Sequence, residues 1–273
     1  MFDGDLTAAQ RQELLQATSL DVPWSLAAGC WTKSEFRILL AAIAFGNVGH
    51  RPDREDLAAL TGLSKTATAA AVARLCRAQP NASHWLGAVD ADRVPARRRN
   101  GSRRAGRRRQ LYALRKGSAS DTPHALRNGS PTDTPLIILP AASVRVDLGT
   151  WARRVLVVLG SGIRQADITT NTGTVTVELV EAEARARLLQ VAGRLPRPRE
   201  ACAAWKELLN KGLVVAYRER GTRRDPTTGT LQIYRRVQLR HRPLQWSETA
   251  RGPHAGTADD ATCAKDAMAS SRQ

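Results

Sequence analysis

The amino-acid sequence predicts an α+β protein, mainly α with small β hairpins, in which two similar units are joined by a flexible linker. Three observations carry that prediction. Apolar residues recur at helical spacing before residue 77 and again from 150 to 210. Short runs with a period of two follow each helical stretch, and a polar stretch rich in Pro, Gly and Ser separates the halves. A chain of 273 residues has room for two domains of about 100 to 150 residues plus tails.

Residues 1–30 read as an N-terminal arm or a packing appendage, with a helix from Leu6 to Ala17 and then DVPW. The first unit, 31–115, opens with Thr32 and Glu35 at the spacing of a capping box, in which each side chain satisfies the other residue's free backbone N–H. Phe36, Leu39, Leu40 and Ile43 then line one helical face. Asp53 is a good N-cap for a second helix with Leu57, Ala58 and Leu60 on its buried side, and Gly62 can take the left-handed turn that ends it. Ser64 caps a third helix. Its Thr68, Val72 and Leu75 point inward, whereas Ser64, Lys65, Thr66, Ala69, Ala70, Ala73 and Arg74 face away and leave a small, polar outer surface. HWLGAVD (84–90) and QLYALR (110–115) read as strands on either side of an arginine-rich loop.

Residues 116–143 form the expected linker, since RKGSASDTP (115–123) and RNGSPTDTP (127–135) repeat Arg, Gly, Ser, Asp, Thr and Pro in register and are too polar to pack. The second unit, 144–240, has an apolar helix around Trp151–Leu159, a short strand in TGTVTVELV and a solvated helix start at EAEAR. A further helix carries Ala201, Trp205, Leu208 and Leu209 inward, with Pro196 and Pro198 lengthening the turn before it. A glycine stop at Gly212 precedes a strand at Leu213–Tyr217. In the last strand Leu231, Ile233, Val237 and Leu239 alternate with Gln232, Tyr234, Arg236 and Gln238. Residues 241–273 read as a disordered tail in which Trp246 docks locally.

The stretch DLAALTGLSKTATAAAVARL (56–75) is similar to the helix-turn-helix of the winged-helix DNA-binding superfamily. Ala58, Gly62, Leu63, Ser64, Val72 and Leu75 match its pattern, and Thr68 stands where that pattern has an apolar residue. Helix, helix, helix, strand, basic loop, strand is the order of a winged helix, and ELLNKGLVVAY (207–217) looks like the recognition-helix exit of many winged-helix regulators. The resemblance implies two tandem winged-helix domains joined by a flexible linker, a plan that resembles plasmid replication initiators. A helical hairpin packed on both faces is the plainer alternative, disfavoured because a doubly buried helix would carry larger apolar residues.

Charge points to the partner. There are 42 Lys+Arg against 25 Asp+Glu, a net +17, which favours a polyanion; the arginines cluster, whereas high-GC codon usage alone would scatter them. Base reading in the first unit falls to Ser64, Lys65, Thr66 and Arg74. Phosphate contact falls to Arg97, Arg98, Arg99, Arg103, Arg104, Arg107, Arg108 and Arg109, with no acid among them. In the second unit Arg197, Arg199 and Lys206 lie on or before the reading helix, and Arg218, Arg220, Arg223 and Arg224 belong to the wing.

Catalytic signatures are weak. VLGSGIRQAD lacks the lysine of a P-loop and the third glycine of a dinucleotide fingerprint, and Asp90 and Asp92 have no further acidic ligand nearby. Cys30, Cys76, Cys202 and Cys263 show no Cys-x-x-Cys pairing and read as reduced thiols, the first three packed. No apolar run reaches about 18 residues, and the acidic, amphipathic start is unlike a signal peptide. The expectation is a cytoplasmic, nucleoid-associated, non-enzymatic protein with no metal, small-molecule cofactor or membrane partner. It binds double-stranded DNA sequence-specifically as a replication-initiator or partition-type factor of a plasmid or mobile element, with a homodimer left open. The alternatives are a MarR- or GntR-like transcriptional regulator and a protein-interaction scaffold.

If the basic loop supplies about six phosphate contacts, duplex affinity falls roughly a thousandfold between 50 and 200 mM salt. Replacing Arg103, Arg104, Arg107, Arg108 and Arg109 with alanine flattens that dependence, which a fluorescence-anisotropy titration at several salt concentrations reads directly.

Overall fold

Helix α3 (Lys33–Asn47) is apolar around nearly its whole circumference, and such a helix belongs inside a protein. Ile38, Leu39, Leu40, Ala41 and Phe45 are fully buried, and Phe36 and Ile43 nearly so. The computed structural model describes residues 6–29, 31–77, 86–90, 110–114, 136–163 and 173–246. The basic loop with Arg97–Arg109, the repeat before Leu136, Cys30, Asp92, Cys263 and the tail after Trp246 lie outside the described residues.

In chain order the further elements are α1 (Ala8–Gln16), β1 (Ser19–Pro23), α2 (Trp24–Ala27), α4 (Arg54–Thr61), α5 (Lys65–Cys76), β2 (Leu86–Asp90), β3 (Gln110–Leu114) and β4 (Leu136–Pro140). A 3-10 turn (Ala141–Val144) leads into α6 (Thr150–Gly160), β5 (Thr174–Val180), α7 (Glu181–Ala192), α8 (Pro198–Asn210), β6 (Val214–Arg224) and β7 (Leu231–Arg240). Local sequence sets the boundaries. Thr7 with Gln10 and Thr32 with Glu35 form capping boxes at α1 and α3, and Asp53 with Asp56 does so at α4.

The two halves share a plan. In each, one helix precedes a helix pair, and an antiparallel hairpin closes the unit, β2–β3 in the first and β6–β7 in the second. The segment between the first and second helices meets the last hairpin strand in both. In the first half a single bond does this, Tyr112 N–H to the Pro52 carbonyl (3.0 Å). In the second it is a full antiparallel ladder of β5 on β7, from Thr174 opposite Arg240 to Val180 opposite Tyr234.

Three expectations change. Residues 136–143, assigned to the linker, are instead β4 and the 3-10 turn: β4 pairs antiparallel with β1, Ser19 opposite Pro140 and Val22 opposite Ile137, and Ile137, Leu139, Ala141 and Val144 are buried. The four apolar residues Leu136–Leu139 needed a distant partner strand, which a local reading does not supply. The N-terminal stretch is likewise core, with Leu14, Leu20, Val22 and Leu26 buried. At the other end His241 and Leu244 are buried beyond the assigned limit of order; Leu244 N–H reaches the Ala17 carbonyl (3.3 Å), and Trp246 docks edge-on to Phe45 (6.2 Å between centroids).

Described residues from both halves form one continuous apolar core rather than two separately closed domains. Polar bolts cross the same boundary. Arg37 of α3 donates from Nε to the Val144 carbonyl (3.1 Å) and from Nη2 to the last carbonyl of α4, Thr61. Arg153 of α6 donates to the Trp31 carbonyl (2.6 Å) and lies over the Phe36 ring (5.9 Å). Burial lowers the pKa of both arginines from the ordinary value.

Leu156→Ala, at a fully buried position of α6, is expected to cost about 2–5 kcal/mol. Because the core is shared, hydrogen exchange of α3 amides speeds up along with that of α6. A second outcome concerns pH. Burial lowers the His241 pKa below its ordinary value of 6.5, against a smaller opposing effect of the Thr18 backbone. The unfolded chain therefore takes up a proton that the folded one refuses, so stability is complete above about pH 6.5 and declines as pH falls below it. Urea unfolding of His241→Phe at pH 7.5 and 5.5 is expected to lack that part of the decline.

Candidate nucleic-acid interface

Two helix pairs carry the exposed faces. In the first, α4 is fixed at its start by a buried cluster. Asp53 Oδ1 accepts the Glu55 and Asp56 N–H groups (2.7 and 2.8 Å), and Asp56 Oδ2 accepts from the Asp53 N–H (3.2 Å) and meets His50 Nε2 (3.3 Å). The helix ends at Gly62, whose φ of 67° is the left-handed conformation that reverses the chain within a three-residue turn. Ser64 then caps α5, its Oγ accepting the Ala67 N–H (3.2 Å). Thr68, Ala71, Val72 and Leu75 are buried, and Lys65, Thr66, Ala70, Arg74 and Arg77 are exposed.

The second pair repeats this with a longer turn. Gly193 (φ 69°) ends α7, and Pro198 occupies the first turn of α8, where its missing N–H costs nothing. Glu200 organises the turn: Arg194 grips it with two bonds (2.8 and 2.7 Å), and the Arg197 N–H adds a third (2.7 Å). These donors, Arg194 foremost, hold the Glu200 carboxyl down at about 2. Arg194 also lies over the Trp151 ring (4.8 Å), and Glu207 accepts the Gly149 N–H (2.6 Å) at the start of α6. The turn and α8 are thereby pinned to α6.

Counted from their caps, the two helices present matching stripes. Thr66, Ala70 and Ala73 of α5, with Arg77 as the residue that caps its C-terminus, stand where Arg199, Ala203, Lys206 and Asn210 stand in α8, at a spacing of one helical face. All four α8 residues are exposed, and opposite them Ala204 and Leu208 are buried. Side chains this small let a helix approach an edge closely, and alanine can touch a thymine methyl group. Arg and Lys suit the O6 and N7 acceptors of guanine, and Asn suits adenine.

Each expected site residue has a definite place. Ser64 spends its hydroxyl on the cap. Lys65 pairs with Glu55 (3.4 Å), both well exposed, a weak and screened contact. Arg74 is half-exposed, but its Nε donates to Glu35 (2.6 Å), the capping carboxylate of α3, so it also serves the fold. Burial pushes the Glu35 pKa up; the Thr32 backbone N–H and Arg74 outweigh it, and the net is a lowered pKa. Arg197, Arg199 and Lys206 are exposed on and before α8, and Arg224 is exposed at the end of β6. Arg220 and Arg223 are held by Glu181 and Glu178. Arg218 is described only as a position in β6, and Arg97 to Arg109 lie outside the described residues.

Three smaller corrections follow from exposure. Leu209 and Leu231, read as inward, are 40% and 69% exposed, and Cys202, read as packed, is exposed. Leu231 opens β7 and is exposed, whereas Val237 and Leu239 further along the strand are buried, so the alternation begins before the core does. Trp205 packs against the core, as its apolar face implied. Sequence reading missed Arg77 and Asn210, which complete the two stripes. It also missed Arg145, which follows the 3-10 turn and whose guanidinium lies against Gly62 in the helix turn. The helical period continued past Arg74 would have found Arg77; only the folded path of the connector brings Arg145 there.

No family model matches the chain, and no curated protein matches it. Among solved structures it is similar to a Pi initiator protein crystallised in complex with iteron DNA, with 9% identity, a TM-score of 0.45, and coverage of 82% of this chain and 98% of that one. At that score and identity, fold and function remain to be read from the chain itself. No described helix is long and apolar enough to cross a membrane, and no group of three or more potential metal ligands occurs among the described residues.

Arg74→Ala is expected to lower stability by about 1 kcal/mol, because it strips the buried Glu35 carboxylate of its half-exposed partner. Arg199→Ala and Lys206→Ala, on an exposed stripe, are expected to stay within about 0.5 kcal/mol of the parent. Chemical denaturation of the three variants separates the groups.

Proposed function

We propose that the chain is a non-enzymatic, sequence-specific double-stranded DNA-binding protein with two tandem winged-helix units, in which α5 and α8 each enter a major groove. One observation carries this: two helices of the same body each follow a left-handed glycine turn and each expose a stripe of small, polar and cationic residues. A major groove is wide enough to admit such a helix while the partner helix braces it across the backbone. The net charge of +17 supplies the attraction to phosphate.

Within this reading the halves differ in what they recognise. Helix α8 offers Arg199 and Lys206, which can reach guanine, whereas α5 offers alanines and Thr66, suited to thymine methyl groups and close approach. The site is therefore bipartite and asymmetric. The finer role, a replication initiator or partition-type factor of a plasmid or mobile element acting in the cytoplasm, rests on the resemblance of the tandem plan to plasmid replication initiators.

Selection from a random duplex library with the full chain tests the reading. Enrichment of a non-palindromic, two-part site supports it, and its repetition near the protein's own gene supports initiation. A palindromic promoter site would favour a regulator, and failure to enrich any duplex would sink DNA binding. Arg199→Ala and Lys206→Ala are expected to relax base preference in one half-site by about 1–3 kcal/mol each. Because the two units share a core, inserting about half a helical turn, roughly 5 bp, between the half-sites reduces binding to that of one half alone; a flexibly linked tandem would tolerate it.

A further inference from the structure

Against the hairpin of the second unit lie two carboxylates, Glu178 of β5 and Glu181 of α7, that groove reading does not use. Glu178 of β5 lies opposite Arg236 of β7, accepts from its Nε (3.0 Å) through one carboxylate oxygen and pairs with Arg223 Nη1 through the other. Arg235, one position along β7, points to the opposite face. There, with Arg220 directly across on β6, it meets Glu181 at the start of α7: Arg235 Nε is paired with Glu181 Oε1, and Arg220 Nε is 3.7 Å from it. Tyr234 lies beneath Arg223 and Arg236 (5.8 and 5.3 Å). Among the described side chains these two carboxylates thus order four guanidiniums, all of them 41–61% exposed. Each guanidinium has five N–H donors, more than a shared carboxylate can take up.

We propose that Glu178 and Glu181 are specificity-determining residues that stand in for phosphate in the free protein and release the wing arginines only to a duplex whose phosphates fall in register. The proposal rests on the DNA-binding reading above. Exposed ion pairs are weakly held and screened by salt, so a backbone that places several phosphates among these arginines, and releases its counterions, displaces the carboxylates. A duplex out of register gains fewer contacts and sets its phosphates beside unpaired carboxylates, a like-charge repulsion that acts against wrong partners. In sequence, the run 97–109 of the first unit has no acid among its arginines.

The test uses the full chain carrying Glu178→Gln and Glu181→Gln, with the duplex enriched by selection and a random-sequence duplex as probes. Affinity of the double variant for the random duplex is expected to rise roughly tenfold at about 0.1 M salt, and its log–log salt slope to steepen by about one to two. The selected duplex gains less, so the ratio between the two falls. Glu183→Gln is the control. Set against Glu181→Gln alone, it removes the same single charge from α7, where Glu183 pairs with Arg187 at 3.9 Å, and is expected to leave the ratio unchanged. An equal effect from Glu183→Gln would reduce the result to net charge and overturn the proposal. Unchanged random-duplex affinity in the double variant would do the same, and so would weaker binding of both duplexes with a lower melting temperature, the mark of a merely structural pair. If the unsubstituted chain binds no duplex, the DNA-binding reading itself falls and this proposal with it, whereas normal selective binding by both parent and double variant defeats the proposal alone.

Discussion

Two guanidiniums at the seam between the halves, Arg153 buried and Arg37 partly so, are the constraint on which the other features depend. A cation taken out of water is costly unless its donors are met; Arg37 meets them with the carbonyls of Val144 and Thr61, and Arg153 with the Trp31 carbonyl and the Thr150 hydroxyl, its Nε staying without a hydrogen-bond partner. Carbonyls at chain turns are fixed points. A side chain bonded to them locks one segment against another more firmly than a pair of flexible charged side chains would. Arg37 ties the end of α4 to the connector, and Arg153 ties α6 to the entry of α3. Around them the apolar core runs without a break, so the first helix pair and the second are parts of one body.

That rigidity gives meaning to the exposed stripes. Two helices offered by loosely tethered domains would search a duplex independently and tolerate varied spacing. Held in one body, they present a single composite surface whose register the core decides. The connector takes part as well: the segment that joins the halves also delivers Arg145 to the turn between α4 and α5. Pinning recurs at α8, where Arg194, Glu200 and Trp151 fix the turn and Glu207 secures the helix to α6.

Positive charge is distributed in two ways. The stretch 97–109 is a dense run without acids in sequence, whereas Glu178 of β5 and Glu181 of α7 are set against the arginines of the second hairpin. Dense charge gives attraction to any polyanion, and interleaved charge gives order at the expense of attraction. On the proposed reading, attraction serves to find a duplex and order serves to discriminate among sequences.

Much of the local structure was legible in the chain. The capping pairs Thr32/Glu35 and Asp53/Asp56, the stop at Gly62, the cap at Ser64 and the alternation of Val237 with Leu239 depend on neighbours within a few residues, so sequence spacing alone determines them. The outer faces of α5 and α8 follow from the same helical period. What tertiary structure decided is everything with a remote partner. Leu136–Leu139 become a strand only because Ser19–Pro23 lies alongside, Trp246 finds Phe45 across most of the chain, and Arg74, Arg220 and Arg223 meet carboxylates far away in sequence. An arginine reads the same in sequence whether water or a glutamate will face it; the difference lies in which element packs beside it, and that is set by closing a shared core.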